Sequence, residues 1–156
     1  MRRLVQWWSA RAAGARWGLV LVEMGLLWWT SSQQLDSGGG ALLRSLLHNS
    51  AHVVAYGAMG ALALMARRGR RPARAGDAFV AVAIAMAYGA VDELHQRFVP
   101  GRSCSLADLG ADTFGAALGA ALVDLAAGIG RRVVLRTVVF AFAAAAAVCC
   151  ATFTDW

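Results

Sequence analysis

Five apolar stretches, each long enough to cross a bilayer, constrain this chain more than any other feature of its sequence. They cover approximately residues 17–34, 50–66, 77–97, 106–127 and 137–154. A helix rises about 1.5 Å per residue, so about 17 to 25 residues cross the hydrocarbon layer. Because no water bonds the backbone there, each span should be an α-helix. The sequence therefore predicts an all-α, polytopic membrane bundle of about five transmembrane helices.

The composition supports a membrane-embedded chain. Of its 156 residues, 59% are hydrophobic and only 15% are charged, whereas about a quarter of the residues in a soluble domain are charged. The net charge of +6 would also suit a nucleic-acid-binding protein. However, the basic residues cluster between the apolar stretches, as they do in loops that flank membrane helices. We therefore expect membrane lipids as partners, and no nucleic acid.

The distribution of arginine predicts the orientation, because cytoplasmic loops are rich in basic residues. All 15 basic residues are arginine, and twelve fall on one side. These twelve are Arg2, Arg3, Arg11, Arg16, Arg67, Arg68, Arg70, Arg71, Arg74, Arg131, Arg132 and Arg136. The opposite side holds Arg44, Arg97 and Arg102. The N-terminus should therefore be cytoplasmic, and Cys104, in an outward-facing loop, should react with an impermeant thiol reagent in intact cells.

The chain divides into three predicted parts. Residues 1–16 form a cytoplasmic N-terminal segment rich in arginine and tryptophan, and residues 17–127 form a four-helix membrane core. Residues 128–156 hold a cytoplasmic arginine loop and the fifth transmembrane helix. Polar side chains that bond free backbone N–H groups mark helix starts. Candidate N-caps are Asn49 or Ser50 for the second span and Asp77 for the third.

Acidic and histidine side chains are concentrated where a bilayer penalises them. The third span ends with Asp92, Glu93, His95 and Gln96, and the fourth begins with Asp108 and Asp112. An ionised side chain near mid-membrane costs roughly 2.5–3.5 kcal/mol on insertion scales. In the second span, His48, His52 and Tyr56 recur every four residues and so share one helix face. These residues together predict a polar pocket at the outward-facing end of the bundle.

Structural explanations compete for some of these residues. Asp108 suits a capping box with Ser105, and the helix dipole favours an acid in the first turn. His52 and Tyr56 could form a hydrogen-bonded packing pair. Glu23, alone in the first span, would be protonated or paired with another helix. For these positions the sequence leaves both a structural and a functional interpretation open.

Asp92 and Glu93 do not fit such explanations. Both lie near the end of a predicted helix, where the helix dipole disfavours negative charge. They therefore need partners, such as Arg97, which follows Glu93 by four residues, Arg102 or a bound cation. A functional interpretation is favoured for both acids.

The fourth span carries its acids and two glycines on one stripe. Asp108, Asp112, Gly115 and Gly119 are spaced by 4, 3 and 4 residues, which places them on one side of a helix. Gly115 and Gly119 form a small-xxx-small pair that lets another helix approach closely. We therefore assign the glycines to helix packing and expect the acids to point into the bundle.

These residues join into one longer motif. It runs His52-x3-Tyr56, then Asp92-Glu93-x2-Gln96-x3-Pro100-Gly101-Arg102-x2-Ser105-x2-Asp108-x3-Asp112-x2-Gly115-x3-Gly119. The motif resembles the core pattern of VanZ-like membrane proteins, and Ser31-Ser32-Gln33 resembles the serine-rich end of that family's first span. The resemblance covers about residues 17–122. Two positions depart from it: Asn49 stands where many members have lysine, and Asp112 stands where many have asparagine.

The resemblance implies a multi-pass protein of the bacterial cell (inner or plasma) membrane. The family's founding member is associated with low-level resistance to the glycopeptide antibiotic teicoplanin, and most members have no assigned reaction. Cell-envelope function and antibiotic resistance are therefore expectations that come from the resemblance alone.

Our first functional hypothesis is a ligand-binding, outward-facing pocket. Its predicted residues are His52, Tyr56, Asp92, Glu93, Gln96, Arg102, Asp108 and Asp112. Arg97 and Arg102 would hold a phosphate or carboxylate, because the planar guanidinium binds oxyanions through two parallel hydrogen bonds. The acids would orient the guanidinium groups. A lipid-linked cell-wall precursor or an amphiphilic antibiotic is the expected ligand, and no cofactor is expected.

Two other classes remain open from the sequence. The histidines and acids could serve a membrane-embedded enzyme, with or without a metal ion, acting on a lipid-linked substrate. Against this, the chain has no HExxH and no Gly-x-Ser-x-Gly motif. Glu23 and the other intramembrane acids could instead serve a small transporter. The sequence does not indicate the oligomeric state.

Overall fold

The computed structural model describes residues 7–154 except 9, 34–40, 75, 101, 103–104 and 129–131. The described residues form five long helices and no strands. They are α1 (Ala13–Ser31), α2 (Ala41–Arg68), α3 (Asp77–Gln96), α4 (Leu106–Ala127) and α5 (Arg132–Thr154). The prediction of an all-α fold is confirmed. Cys104, for which the sequence predicts outward exposure, lies outside the described residues.

Three of the helices are long and apolar enough to cross a membrane, judged by length and composition. They are α3, α4 and the part of α5 from Val133 to Phe153. The other two helices carry polar residues within their apolar stretches, such as Glu23 in α1 and His48, Asn49 and His52 in α2. The fold is therefore a helical membrane bundle in which the two more polar helices face the candidate site.

The predicted N-caps of the second and third spans are wrong. Helix α2 begins at Ala41, so Asn49 lies inside it, where its buried amide donates to Thr152 Oγ1 of α5 at 3.1 Å. The N-cap of α3 is Gly76, and Asp77 is the first helical residue. Asn49 has its partner across the bundle, and Asp77 accepts from Arg67, Arg71 and the backbone N–H of Arg74 just before α3. Hydropathy reveals neither set of contacts.

Contacts at the two ends show that neighbouring helices run in opposite directions. At one end, Arg16 near the start of α1 donates to Ala66 O near the end of α2 at 3.2 Å. At the same end, Arg68 of α2 pairs with Asp124 near the end of α4. The loop between α3 and α4 instead meets the end of α1, because Arg102 donates to Thr30 O at 3.3 Å. The arginine-rich segments described thus gather at the end opposite Arg102.

Helix α4 lies inside the bundle and contacts α2, α3 and α5. Its glycines face the backbone of α2: a Cβ added at Gly115 would lie 2.6 Å from Val53 O. A Cβ added at Gly119 would overlap the carbonyl of Gly57. The absence of side chains at Gly115 and Gly119 therefore permits the close approach of α2 and α4, and this approach positions the polar residues of both helices side by side.

Candidate functional site

A cavity of about 450 Å³ lies between α1, α2 and the C-terminal end of α3. We call it the α1–α2 cavity. Its lining residues are Glu23, Leu26, Leu27, Thr30, Ser31, His48, Ala51, His52, Ala55, Asp92 and Arg102. The lining combines aliphatic side chains with cationic, acidic and imidazole groups, so it suits a molecule that has both an apolar and a charged part.

Arg102 stands at the loop end of this cavity. Its Nη1 lies 3.0 Å from His48 Nε2, while Nη2 donates to Thr30 O and Nε to Gln33 O, both at 3.3 Å. All three partners are uncharged acceptors if His48 is neutral. Within the described part of the chain, no carboxylate lies within 4 Å of the guanidinium. Arg102 is therefore held in place without a neutralising ion pair.

The electrostatic environment of Arg102 has two opposing parts. Partial burial disfavours the charged form and lowers the pKa of the guanidinium, while the nearby acids Asp92, Glu93 and Asp108 favour the charged form. Arginine stays protonated in proteins under such opposing influences. The cavity therefore has a permanent positive charge at one end.

Asp92 and Glu93 are buried, but they do not orient the arginines as the sequence suggested. Asp92 accepts hydrogen bonds from Ser31 Oγ at 2.6 Å and from Gln96 Nε2 at 3.0 Å. Glu93 Oε2 accepts from the backbone N–H of Ser105 at 2.8 Å. In the described part of the chain neither acid forms a direct ion pair with Arg97 or Arg102 within 4 Å. Asp92 and Glu93 Oε2 accept from hydroxyl, amide and backbone donors instead, and Glu93 Oε1 is buried without a hydrogen-bond partner.

Ser105 caps α4, as the capping-box interpretation predicted. Its Oγ accepts from the backbone N–H groups of Ala107 at 3.2 Å and Asp108 at 3.4 Å. The reciprocal bond to the N–H of Ser105 comes from Glu93 rather than from Asp108. Asp108 is buried in the first turn of α4. Glu93 thereby fixes the end of α3 to the start of α4, next to Arg102.

His52 and Asp112 form the closest acid–histidine contact of the site. His52 Nδ1 lies 3.0 Å from Asp112 Oδ1, and Asp112 is fully buried. Tyr56, also fully buried, lies one helical turn along α2 from His52, with their ring centroids 6.1 Å apart. A Cβ at Gly89 would lie 3.3 Å from both Tyr56 and Asp112, so α3 leaves space for these side chains. Asp112 thus orients the imidazole, which lines the cavity.

The structure therefore divides the predicted pocket into two groups. His52, Asp92 and Arg102 line the α1–α2 cavity, whereas Tyr56, Glu93, Gln96, Asp108 and Asp112 lie outside its lining. The predicted set omitted four polar lining residues, Glu23, Thr30, Ser31 and His48, as well as the aliphatic ones. His48 could have been included, because it shares a helix face with His52. Ser31 was visible only as part of a serine-rich helix end.

A protein metal site needs several nitrogen, oxygen or sulfur donor side chains around one point. In the ranges that the structure describes, no group of three or more His, Cys, Asp or Glu side chains is arranged to hold a metal ion. His52 and Asp112 form a pair, and Asp92 is occupied by Ser31 and Gln96. The metal-dependent alternative therefore has no ligand set among these residues.

The VanZ/LLP1 family model matches residues 11–127, which include α1 to α4 and the whole cavity lining. The chain belongs to the VanZ/LLP1 family. The resemblance of the motif is thus confirmed, and α5 lies outside the match. Comparisons with curated proteins and with solved structures give no match. This VanZ/LLP1 protein is an integral membrane protein with a partly polar cavity.

Proposed function

We propose that the α1–α2 cavity binds the anionic headgroup of a membrane amphiphile. The single observation that carries this proposal is the state of Arg102. Its guanidinium has five N–H donors, its three nitrogens contact only uncharged acceptors if His48 is neutral, and no described carboxylate pairs with it. A phosphate or carboxylate would supply both the missing charge and acceptors for the remaining donors.

The rest of the lining supports an amphiphile rather than a free anion. Leu26 and Leu27 of α1 and Ala51 and Ala55 of α2 provide an apolar wall beside Arg102. Aliphatic side chains favour contact with hydrocarbon chains, and they provide no hydrogen bond or charge to an inorganic ion. The ligand class is therefore a lipid-linked cell-wall precursor or an amphiphilic antibiotic, both of which join an acidic group to an apolar part.

The cavity is assigned to the outer leaflet of the bacterial cell membrane. The support is the arginine distribution: the cluster around Arg16 and Arg68 lies at the opposite end from Arg102. Cytoplasmic ends of multi-pass proteins carry the excess of arginine. A protein that binds an envelope lipid or antibiotic at the outer surface would fit the resistance association of VanZ-like proteins.

Arg102→Ala tests this proposal against a control in the same loop. The purified protein is incubated in detergent with dioleoyl phosphatidic acid, and bound lipid is quantified by native mass spectrometry. We expect Arg102→Ala to weaken binding about tenfold or more, because a charge-assisted hydrogen bond contributes about 1.5–3 kcal/mol. Arg97→Ala should bind like the wild type, since Arg97 is exposed and outside the cavity lining. Equal binding by all three proteins would refute the proposal.

A second candidate function rests on the pair formed by His52 and Asp112. An aspartate that orients a histidine leaves the other imidazole nitrogen available as an acid or base, and the His52 ring lines the cavity. The candidate reaction is hydrolysis of an ester bond of a bound lipid with water as co-reactant. His52 would take a proton from the water, whose oxygen bonds to the ester centre, and would return the proton to the leaving alkoxide. This reaction predicts that membrane lipids incubated with the wild type change in mass and that His52→Gln abolishes the change. Lipids of unchanged mass would exclude this second function and would not affect the proposal of ligand binding.

A further inference from the structure

Glu23 is an acid of the cavity lining that headgroup binding at Arg102 does not use and that, unlike Asp92, accepts no hydrogen bond from the described residues. It lies midway along α1, and its side chain lines the α1–α2 cavity. Across the described ranges its carboxyl group has no hydrogen-bond partner, and its buried Oε2 is unsatisfied. Leaving such a group unsatisfied costs about 1–3 kcal/mol. A molecule in the cavity can supply the partner that Oε2 lacks among the described residues.

The position of Glu23 along α1 limits what that partner can be. Glu23 precedes Thr30, the residue that receives a hydrogen bond from Arg102, by two helical turns. At about 1.5 Å per residue, the two positions are about 10 Å apart along the helix. The polar headgroup layer on each side of a bilayer is about 5–8 Å thick. Glu23 therefore lies below the layer that would hold a phosphate at Arg102, at the start of the hydrocarbon.

The protonation state of Glu23 follows from this depth. An ionised carboxylate without a partner is expensive in hydrocarbon, so the group is held as the neutral acid. A neutral carboxylic acid has one O–H donor. In a phospholipid, the groups that lie between the phosphate and the hydrocarbon chains are the acyl ester carbonyls, which are hydrogen-bond acceptors.

From this arrangement we infer that Glu23 donates a hydrogen bond to an acyl carbonyl of the ligand whose phosphate is held by Arg102. The inference rests on the proposed function and selects, among the anionic membrane amphiphiles that Arg102 could hold, acyl-bearing phospholipids rather than polyprenyl-linked cell-wall precursors. Polyprenyl phosphates carry no carbonyl below the phosphate, so they would leave Glu23 unsatisfied. The cavity thereby discriminates between two families of phosphate-bearing membrane lipids.

Two lipids that differ only in their carbonyls test this inference. The probes are dioleoyl phosphatidic acid and its ether-linked analogue, which has the same phosphate and chain length but no ester carbonyl. Binding to the full-length protein in detergent is measured by native mass spectrometry. We expect the wild type to bind the ester lipid about fivefold more tightly, which is the size of one neutral hydrogen bond. A polyprenyl phosphate should bind no better than the ether lipid.

Variants at Glu23 identify the group responsible. Glu23→Leu should lose the preference by weakening only the ester lipid, whereas Glu23→Gln should keep it because an amide also donates. Equal binding of ester and ether lipids by the wild type would overturn the inference without any variant. If Glu23→Gln loses the ester preference as fully as Glu23→Leu does, the inference is also overturned. A hydrogen-bond donor at this position would then not be sufficient, and the ionised carboxylate, which donates no hydrogen bond, would be the form that matters.

Arg102→Ala separates this inference from the proposed function. It should weaken both lipids by the same factor and preserve the ratio between them. If Arg102→Ala changes the binding of neither lipid, the proposed headgroup site fails. If it weakens both while the wild type shows no ester preference, the headgroup site stands and the assignment of Glu23 is wrong.

Discussion

At the scale of single residues, the contact between His52 and Asp112 offers the sharpest test of the site. Asp112 is fully buried and lies 3.0 Å from His52 Nδ1. Asp112→Asn keeps an oxygen acceptor for the imidazole, so we expect an apparent Tm within about 3 °C of the wild type. Asp112→Ala leaves a buried donor unsatisfied at a cost of about 1–3 kcal/mol, which corresponds to about 2–12 °C. Thermal unfolding in detergent checks both, and an unshifted Asp112→Ala would contradict the contact.

The same pair shows what residue spacing does and does not predict. A four-residue period placed His52 on one face of α2, and the stripe of α4 placed Asp112 toward the bundle. Their contact required the two helices to approach closely, which spacing within each helix does not determine. The partners of Asp92 illustrate the limit: Ser31 lies 61 positions away in sequence. The candidates nearby in sequence, Arg97 and Arg102, form no ion pair with Asp92 within 4 Å.

At the scale of elements, the close contact of α2 and α4 leaves no room for a side chain at some glycines of α4, whereas other glycines of the same helix have room for one. A Cβ at Gly119 would overlap the Gly57 carbonyl, whereas a Cβ at Gly110, in the same helix, meets nothing within 4 Å. We expect Gly119→Ala to lower the apparent Tm by several degrees, because overpacking costs about 1–3 kcal/mol or more. Gly110→Ala should be neutral or stabilising by up to about 1 kcal/mol. A Gly119→Ala protein as stable as Gly110→Ala would refute the close packing.

The connection between α2 and α3 depends on a single buried acid. Asp77 accepts from Arg67 at 3.1 Å, from Arg71 at 2.7 Å and from the backbone N–H of Arg74 at 2.9 Å. The hydrogen bond to Asp77 raises the pKa of the half-buried Arg71 guanidinium, so the arginine stays charged. We expect Asp77→Ala to lower the apparent Tm markedly, since arginines would remain without their shared acceptor.

Arg74→Ala is the matched control for that prediction. The side chain of Arg74 is exposed, and only its backbone N–H contacts Asp77. The control should therefore unfold at the wild-type temperature. If Asp77→Ala also unfolds there, the acid does not stabilise the connection.

Helix boundaries were the part of the elements that hydropathy predicted least well. The apolar stretch beginning at residue 50 suggested a helix start at Asn49, but α2 begins at Ala41. The first turns of α2 mix polar and apolar residues, so a hydropathy criterion places the start of the helix too late. Thr152 of α5 satisfies the amide of Asn49 across the bundle. A polar residue inside a helix looks like a cap when its distant partner is unknown.

At the scale of the whole molecule, the number of helices followed directly from the apolar stretches, while their packing did not. Helix α5 lies outside the VanZ/LLP1 match, yet it contacts both α2 and α4. Its Thr152 reaches Asn49, at the position where many VanZ-like proteins have lysine. The helix beyond the family match thus supplies the hydrogen-bond partner of a buried amide inside the matched part.

The orientation of the whole bundle is tested by thiol labelling in intact cells. In a Cys149→Ser/Cys150→Ser background, Cys104 should react with an impermeant maleimide, because its loop is assigned to the outer surface with Arg102. Arg70→Cys, in a chain whose three natural cysteines are serine, should react only after permeabilisation, since the arginine-rich end is assigned to the cytoplasm. A cytosolic protein that stays unlabelled verifies intact cells. The reversed pattern would place the α1–α2 cavity at the inner leaflet and exclude a ligand that arrives from outside.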